Sequence, residues 1–171
     1  NDVKNAIEIA LSSLKEKSFE SEIAFFGGSF TAIDRKYMLI LLESTKPYIQ
    51  NFKGIRISTR PDCIDEDVLN ILKSYKVTSI ELGAQSMADS VLLANERGHN
   101  AESVKRASLL IKSKGFSLGL QMMTGLYKSN KELDIYTARE FIGLNPDTVR
   151  IYPTVVLKNT TLAALFEKGE Y

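Results

Sequence analysis

Ser79-Ile80-Glu81-Leu82-Gly83-Ala84-Gln85-Ser86 sets one carboxylate in the middle of a short apolar run. Alternate residues of a strand share a face, so Glu81 and Gly83 point one way and Ile80 and Leu82 the other. Elsewhere in the chain the same parity recurs. Arg56, Ser58 and Arg60 share a polar face, as do Gly119, Gln121 and Met123, and then Thr148, Arg150 and Tyr152. The opposite parity is apolar (Ile55, Ile57, Leu118, Leu120, Val149 and Ile151) and is expected to pack against helices. A doubly wound sheet buries both faces and needs strands that are apolar throughout, whereas a wide, partly open barrel holds polar groups inside around a ligand. The pattern therefore predicts an α/β fold, an incomplete parallel (β/α) barrel of partial TIM-barrel type.

Working outward, five strands are predicted, at 23–26, 54–58, 79–82, 118–123 and 148–152, with helices between them. Val3, Ile7, Leu11 and Leu14 recur at helical spacing, as do Met38, Leu41, Leu42 and Ile49, then Val68, Ile71, Leu72 and Tyr75. Asn100 is expected to cap a helix running from Ala101 to Lys114, and a capping box beginning at Ser129 to open another that stops near Gly143 and Pro146. Strand and helix alternation of this kind implies parallel pairing with right-handed crossovers.

The 171 residues, 44% hydrophobic and 25% charged, supply one core and predict a single domain over 1–171. No apolar run is long enough to span a bilayer, and Asn1-Asp2-Val3-Lys4 resembles no leader, so a cytoplasmic protein with no membrane partner is expected. Lys and Arg total 22 against 21 Asp and Glu, which gives no overall field toward nucleic acid. The lone Cys63 excludes an internal disulfide framework and a metal site built from cysteines of this chain alone.

Polar residues follow each predicted strand, and in parallel barrels ligands bind at that carboxyl-end rim. Gly27-Gly28-Ser29 lets backbone approach a ligand closely, although neither the phosphate-loop nor the dinucleotide glycine pattern is present. Ser58-Thr59-Arg60-Pro61-Asp62 leaves its strand extended because Pro61 keeps Arg60 out of helical geometry, and Asp62 or Asp65 is expected to cap the next helix. Glu81 is costly inside an apolar strand unless it is paired, and Arg97 or Arg60 is the expected partner. His99 has no second His or Cys near it in sequence and is expected to serve a cap or a turn, while Met87, Met122 and Met123 are expected to fill core.

Four motifs in one order, Gly27 to Phe30, Ser58 to Asp62, Glu81 to Ser86 and Arg97-Gly98-His99, resemble the radical S-adenosylmethionine (radical SAM) superfamily. The likeness runs from about Ile23 to Tyr152 and is nearest the catalytic subunit of Elongator and the oxygen-independent coproporphyrinogen III oxidases. It implies that Gly27, Gly28 and Ser29 hold the methionyl amino group of S-adenosyl-L-methionine, that Gln85 contacts its ribose and that Arg97 pairs with its carboxylate. Gln121 falls where the coproporphyrinogen oxidases carry a ribose-binding Asp. Ser58 falls where they carry a Glu, and Arg60 lies on the same polar face. No catalytic residue is assigned.

The resemblance also implies a 4Fe-4S cluster held by three cysteines on the loop after the first barrel strand. That motif is absent from this chain, so the first strand and cluster loop are expected to lie outside it, and the chain alone is expected to be inactive. In the family the reduced cluster cleaves S-adenosylmethionine to a radical that abstracts hydrogen from substrate. An Elongator-like parent would act on RNA or an acyl donor, and a coproporphyrinogen oxidase-like parent on a tetrapyrrole. Two readings stay beside these: a cluster-free binding module for RNA or a metabolite, and an ordinary (β/α)8 enzyme. An exposed edge at 23–26 would also invite self-association.

Overall fold

The computed structural model describes residues 2–171. Helix α1 (Asp2–Leu14) leads through a 3-10 segment (Lys15–Glu20) into β1 (Glu22–Phe25), followed by α2 (Arg35–Glu43), β2 (Gly54–Thr59), α3 (Glu66–Ser74) and β3 (Val77–Gln85). Then come α4 (Asp89–Ala94), α5 (Ala101–Ser113), β4 (Ser117–Thr124), α6 (Lys131–Gly143), β5 (Thr148–Pro153) and α7 (Thr161–Glu167). All neighbouring strands pair in parallel, in the order β1-β2-β3-β4-β5. That order has no reversal, so it lacks the switch point of a doubly wound sheet.

The sheet is curled. Four inter-strand spacings would set β1 and β5 about 19 Å apart in a flat sheet. Instead the Arg150 guanidinium, on β5, lies 5.1 Å from the centre of the Phe26 ring just past β1. Five strands thus form an arc of a barrel whose two edges are β1 and β5.

Parity divides the arc as expected for β2 to β4. Ile55, Ile57, Ile80, Leu82, Leu118 and Leu120 are buried against the helices, each contributing about 1.5–3 kcal/mol of apolar transfer. The outer layer therefore carries the stability, and the inner face is left for polar groups. On β5 the expectation fails: Val149 is 46% and Ile151 61% exposed, because α6 packs on β4 and α7 does not cover β5.

Local details also depart from expectation. The second helix ends at Glu43, since Pro47 cannot continue it, and the chain reaches Ile49 through turns. Asn100 caps α5 as expected, accepting from the Ser103 amide. Helix α6 is capped by Asn130 rather than Ser129, whose hydroxyl instead donates to Asp134. Of the two residues expected for the cap of α3, Asp65 serves, accepting from the Val68 amide. Helices α4 and α7, six and seven residues long, carry no clear periodic stripe in the sequence. No helix among the described residues is long and apolar enough to cross a membrane.

Candidate functional site

The inner face is built from the bottom upward. Near the amino ends of the strands, Glu22 accepts from Arg56 at 2.6 Å and from Ser79 at 2.7 Å. Burial alone would raise the Glu22 carboxyl, but bonds from Ser79 and Arg56, the charge of Arg56 and a bond from Thr78 outweigh it and hold the pKa below its ordinary value. One layer higher, Glu81 Oε1 meets Arg56 at 3.1 Å and Arg150 at 3.0 Å. Arg150 reaches it across Gly119, where even a Cβ would come within 2.7 Å of the Glu81 side chain. Glu81 is 1% exposed, and this double pairing on Oε1, with the Gln121 amide donating to Oε2, makes its burial tolerable. Neither Arg97 nor Arg60 is its partner. Arg60 grips Asp62 through two bonds of 2.9 and 2.6 Å and lies at the rim, one layer above Glu81.

Above the ladder the inner face opens into a cleft of about 370 Å³. Gly27, Gly28, Ser29, Ser58, Arg60, Gln85, Arg97 and Gln121 all line it, together with Phe26, Thr59, Gly83 and Tyr152. Each is delivered by a strand end. The turn after β1 carries Gly27 at φ +102°, a conformation that L side chains rarely adopt, and a Cβ on either Gly27 or Gly28 would meet nothing within 4 Å. Open space in front of bare backbone is the surface a small polar group can occupy. Thr31 and Thr59 fix the neighbouring loop, their hydroxyls 2.6 Å apart while Thr31 donates to the Cys63 carbonyl.

Gln85 ends β3 at φ +65°, at a shift in the β3–β4 register, so its side chain turns into the cleft. It is 8% exposed, and its Oε1 is buried without a partner. Arg97 arrives on the stretch after α4, which is held over the rim at three points, one of them the Gly98 carbonyl accepting from Arg60 at 3.4 Å. Asn95 Nδ2 donates to the Tyr127 carbonyl at 2.8 Å, and the His99 ring Nε2 lies 3.1 Å from the Ala84 carbonyl. His99 thus serves the turn, as expected. The Arg97 Nε is buried and unpartnered, and burial followed by the charge of Arg60 pushes its pKa down. Two guanidiniums close enough for their charges to oppose each other are an arrangement that an incoming carboxylate would relieve.

Both unpartnered groups are unfavourable in isolation, at roughly 1–3 kcal/mol for each buried polar atom left without a bond. They share the cleft with the open double glycine. The residues therefore fit a ligand that offers a carboxylate, an amino group and hydroxyls. Cluster chemistry does not fit this chain's own residues: burial, then Asp62, raises the Cys63 thiol, and no group of three metal-ligating side chains exists among the described residues.

A model of the radical SAM superfamily matches residues 2–138. The chain belongs to the radical SAM superfamily. Over 121 residues it is 34% identical to a tRNA uridine(34) acetyltransferase of Methanocaldococcus infernus, an alignment covering 67% of this chain and 22% of that protein. It is 36% identical over 122 residues to Elongator complex protein 3 of Dictyostelium discoideum, covering 69% and 22%. The chain therefore spans about a fifth of the length of these curated relatives. The solved archaeal Methanocaldococcus infernus Elp3 with an N-terminal deletion superposes with a TM-score of 0.86 at 24% identity, covering 99% of this chain and 46% of that one. Within the superfamily the likeness is to the Elongator group, and the coproporphyrinogen oxidase alternative is not favoured.

The structure brings the eight candidate residues of this radical SAM chain together around one cleft, and Phe26, Gly83 and Tyr152, which strand parity could have added, line it with them. Sequence reasoning missed Glu22 and misassigned the partner of Glu81.

Proposed function

We propose that this chain is the S-adenosylmethionine-holding part of an Elongator-like radical SAM enzyme. The carrying observation is the contrast within the inner face: the ladder below is fully paired, while Arg97 and Gln85 at the rim keep buried, unpartnered polar atoms. In this reading Arg97 takes the methionyl carboxylate, with Arg60 adding charge. The backbone of Gly27, Gly28 and Ser29 takes the amino group. Gln85 and Gln121, with Ser58 beside them, face the ribose. Phe26 and Tyr152 supply aromatic walls on the two sides of the cleft. When bound to a reduced iron–sulfur cluster, the cofactor supplies one-electron chemistry for hydrogen abstraction from a substrate.

Ligands for such a cluster are not provided by Cys63 alone, so this chain by itself is expected to bind cofactor without turning it over. The relation to a tRNA uridine(34) acetyltransferase supports RNA as the substrate class of the whole enzyme. The β1 edge is read as a site of self-association, which sedimentation at rising concentration would test. The cofactor reading is tested by titrating S-adenosylhomocysteine, a non-cleavable analogue, into the 171-residue chain. Binding that weakens on Arg97→Ala supports it, and no binding overturns it.

A further inference from the structure

The amide of Gln121 can be oriented from its neighbours. Its Nε2 lies 2.9 Å from Glu81 Oε2 and 3.3 Å from Ser58 Oγ. A carboxylate held between two guanidiniums has no proton to donate, so the amide atom facing Glu81 must be the NH2. The amide oxygen is thereby turned the other way, to the side of Gly83, where a Cβ would lie 3.9 Å from it at the lining of the cleft. Glu81 is in turn fixed by Arg56 and Arg150, so the amide cannot flip without leaving a buried carboxylate oxygen facing the amide oxygen.

We infer that Glu81 is a positioning residue that makes Gln121 a hydrogen-bond acceptor toward the cleft, so that the site selects a ligand presenting a hydroxyl donor there. Gln121 then acts as a neutral acceptor, and the charge that a carboxylate would bring stays one layer down, already compensated. The inference rests on the cofactor reading above, in which the hydroxyl belongs to the ribose.

The test compares S-adenosylhomocysteine with its 2′,3′-dideoxy analogue by calorimetric titration into the 171-residue chain. The unaltered protein should prefer the hydroxylated ligand by roughly three- to tenfold, the value of one hydrogen bond. In Glu81→Gln the partner can both donate and accept, the amide of Gln121 is free to turn, and the preference should fall below about twofold. Gln121→Leu should abolish it by removing the acceptor. Should Glu81→Gln fail to fold, the unaltered protein still decides by NMR. The Gln121 side-chain N–H protons should exchange slowly with water both with and without S-adenosylhomocysteine, because they stay on Glu81 and Ser58, and fast exchange in either state overturns the inference. S-adenosylhomocysteine that binds and depends on Arg97, with equal affinity for both ligands, overturns the inference and leaves the cofactor reading standing. Absence of binding overturns both.

Discussion

The lower and upper halves of the inner face use the same residue types to opposite ends. Below, Glu22, Arg56, Glu81 and Arg150 alternate in sign and satisfy one another across the strands. Above, Arg60 and Arg97 share a sign, and only Arg60 has a carboxylate of its own. The difference teaches where structure ends and function begins in this fold. A paired charge inside the arc is scaffold, whereas an unpaired one is held there by surrounding packing and awaits a partner.

Breaking the ladder should have the largest effect. Glu81→Ala leaves Arg56 and Arg150 facing each other and should cost about 3 kcal/mol, the low end for splitting a buried pair because Arg150 keeps access to solvent. Denaturant unfolding measures this, and a loss under 1 kcal/mol would mean the ladder is not structural. Gly119→Ala comes next, since its Cβ would stand 2.7 Å from Glu81 and 3.0 Å from Thr148 Oγ1, and overpacking of this kind costs about 1–3 kcal/mol. Gly28→Ala sharpens the comparison from the rim. It meets nothing within 4 Å, so the melting temperature should hold while analogue binding weakens.

The smallest effect concerns acid. Glu22 has a depressed pKa when folded, so its contribution is complete above the ordinary value of 4.5 and is lost as pH falls through the lower folded value. Stability should therefore decline below about pH 4.5, and Glu22→Gln should flatten part of that decline in urea titrations run from pH 6 to pH 3. An unchanged slope would show that other carboxylates dominate.

Much of this was legible in the sequence because alternation reports faces directly. Ile55, Ile80 and Leu118 against Ser58, Glu81 and Gln121 define an inside and an outside without any knowledge of neighbours. What alternation does not report is register across strands. Ser58 pairs beside Glu81, and Glu81 beside Gly119, which puts Arg56 and Arg150 within reach of one carboxylate although they lie 94 positions apart in the chain. Proximity in sequence pointed to Arg97 and Arg60 instead. Nor does alternation say whether an apolar face is covered, which is why Val149 and Ile151 were expected to be buried and are exposed. At Gln85 the signal is backbone: a positive φ at a register shift turns the side chain inward, and no local pattern announces it.

Whether Arg97 is held for a ligand or for the fold is decided by one paired measurement on Arg97→Ala. Thermal melting without ligand is run beside calorimetric titration of S-adenosylhomocysteine. The variant should melt with the unaltered protein, because it removes a desolvated cation that bonds nothing through its Nε. Its affinity should drop about ten- to a hundredfold, the worth of charge-assisted bonds to a carboxylate. A variant that melts several degrees lower, or one that binds the analogue as tightly as before, would contradict the account.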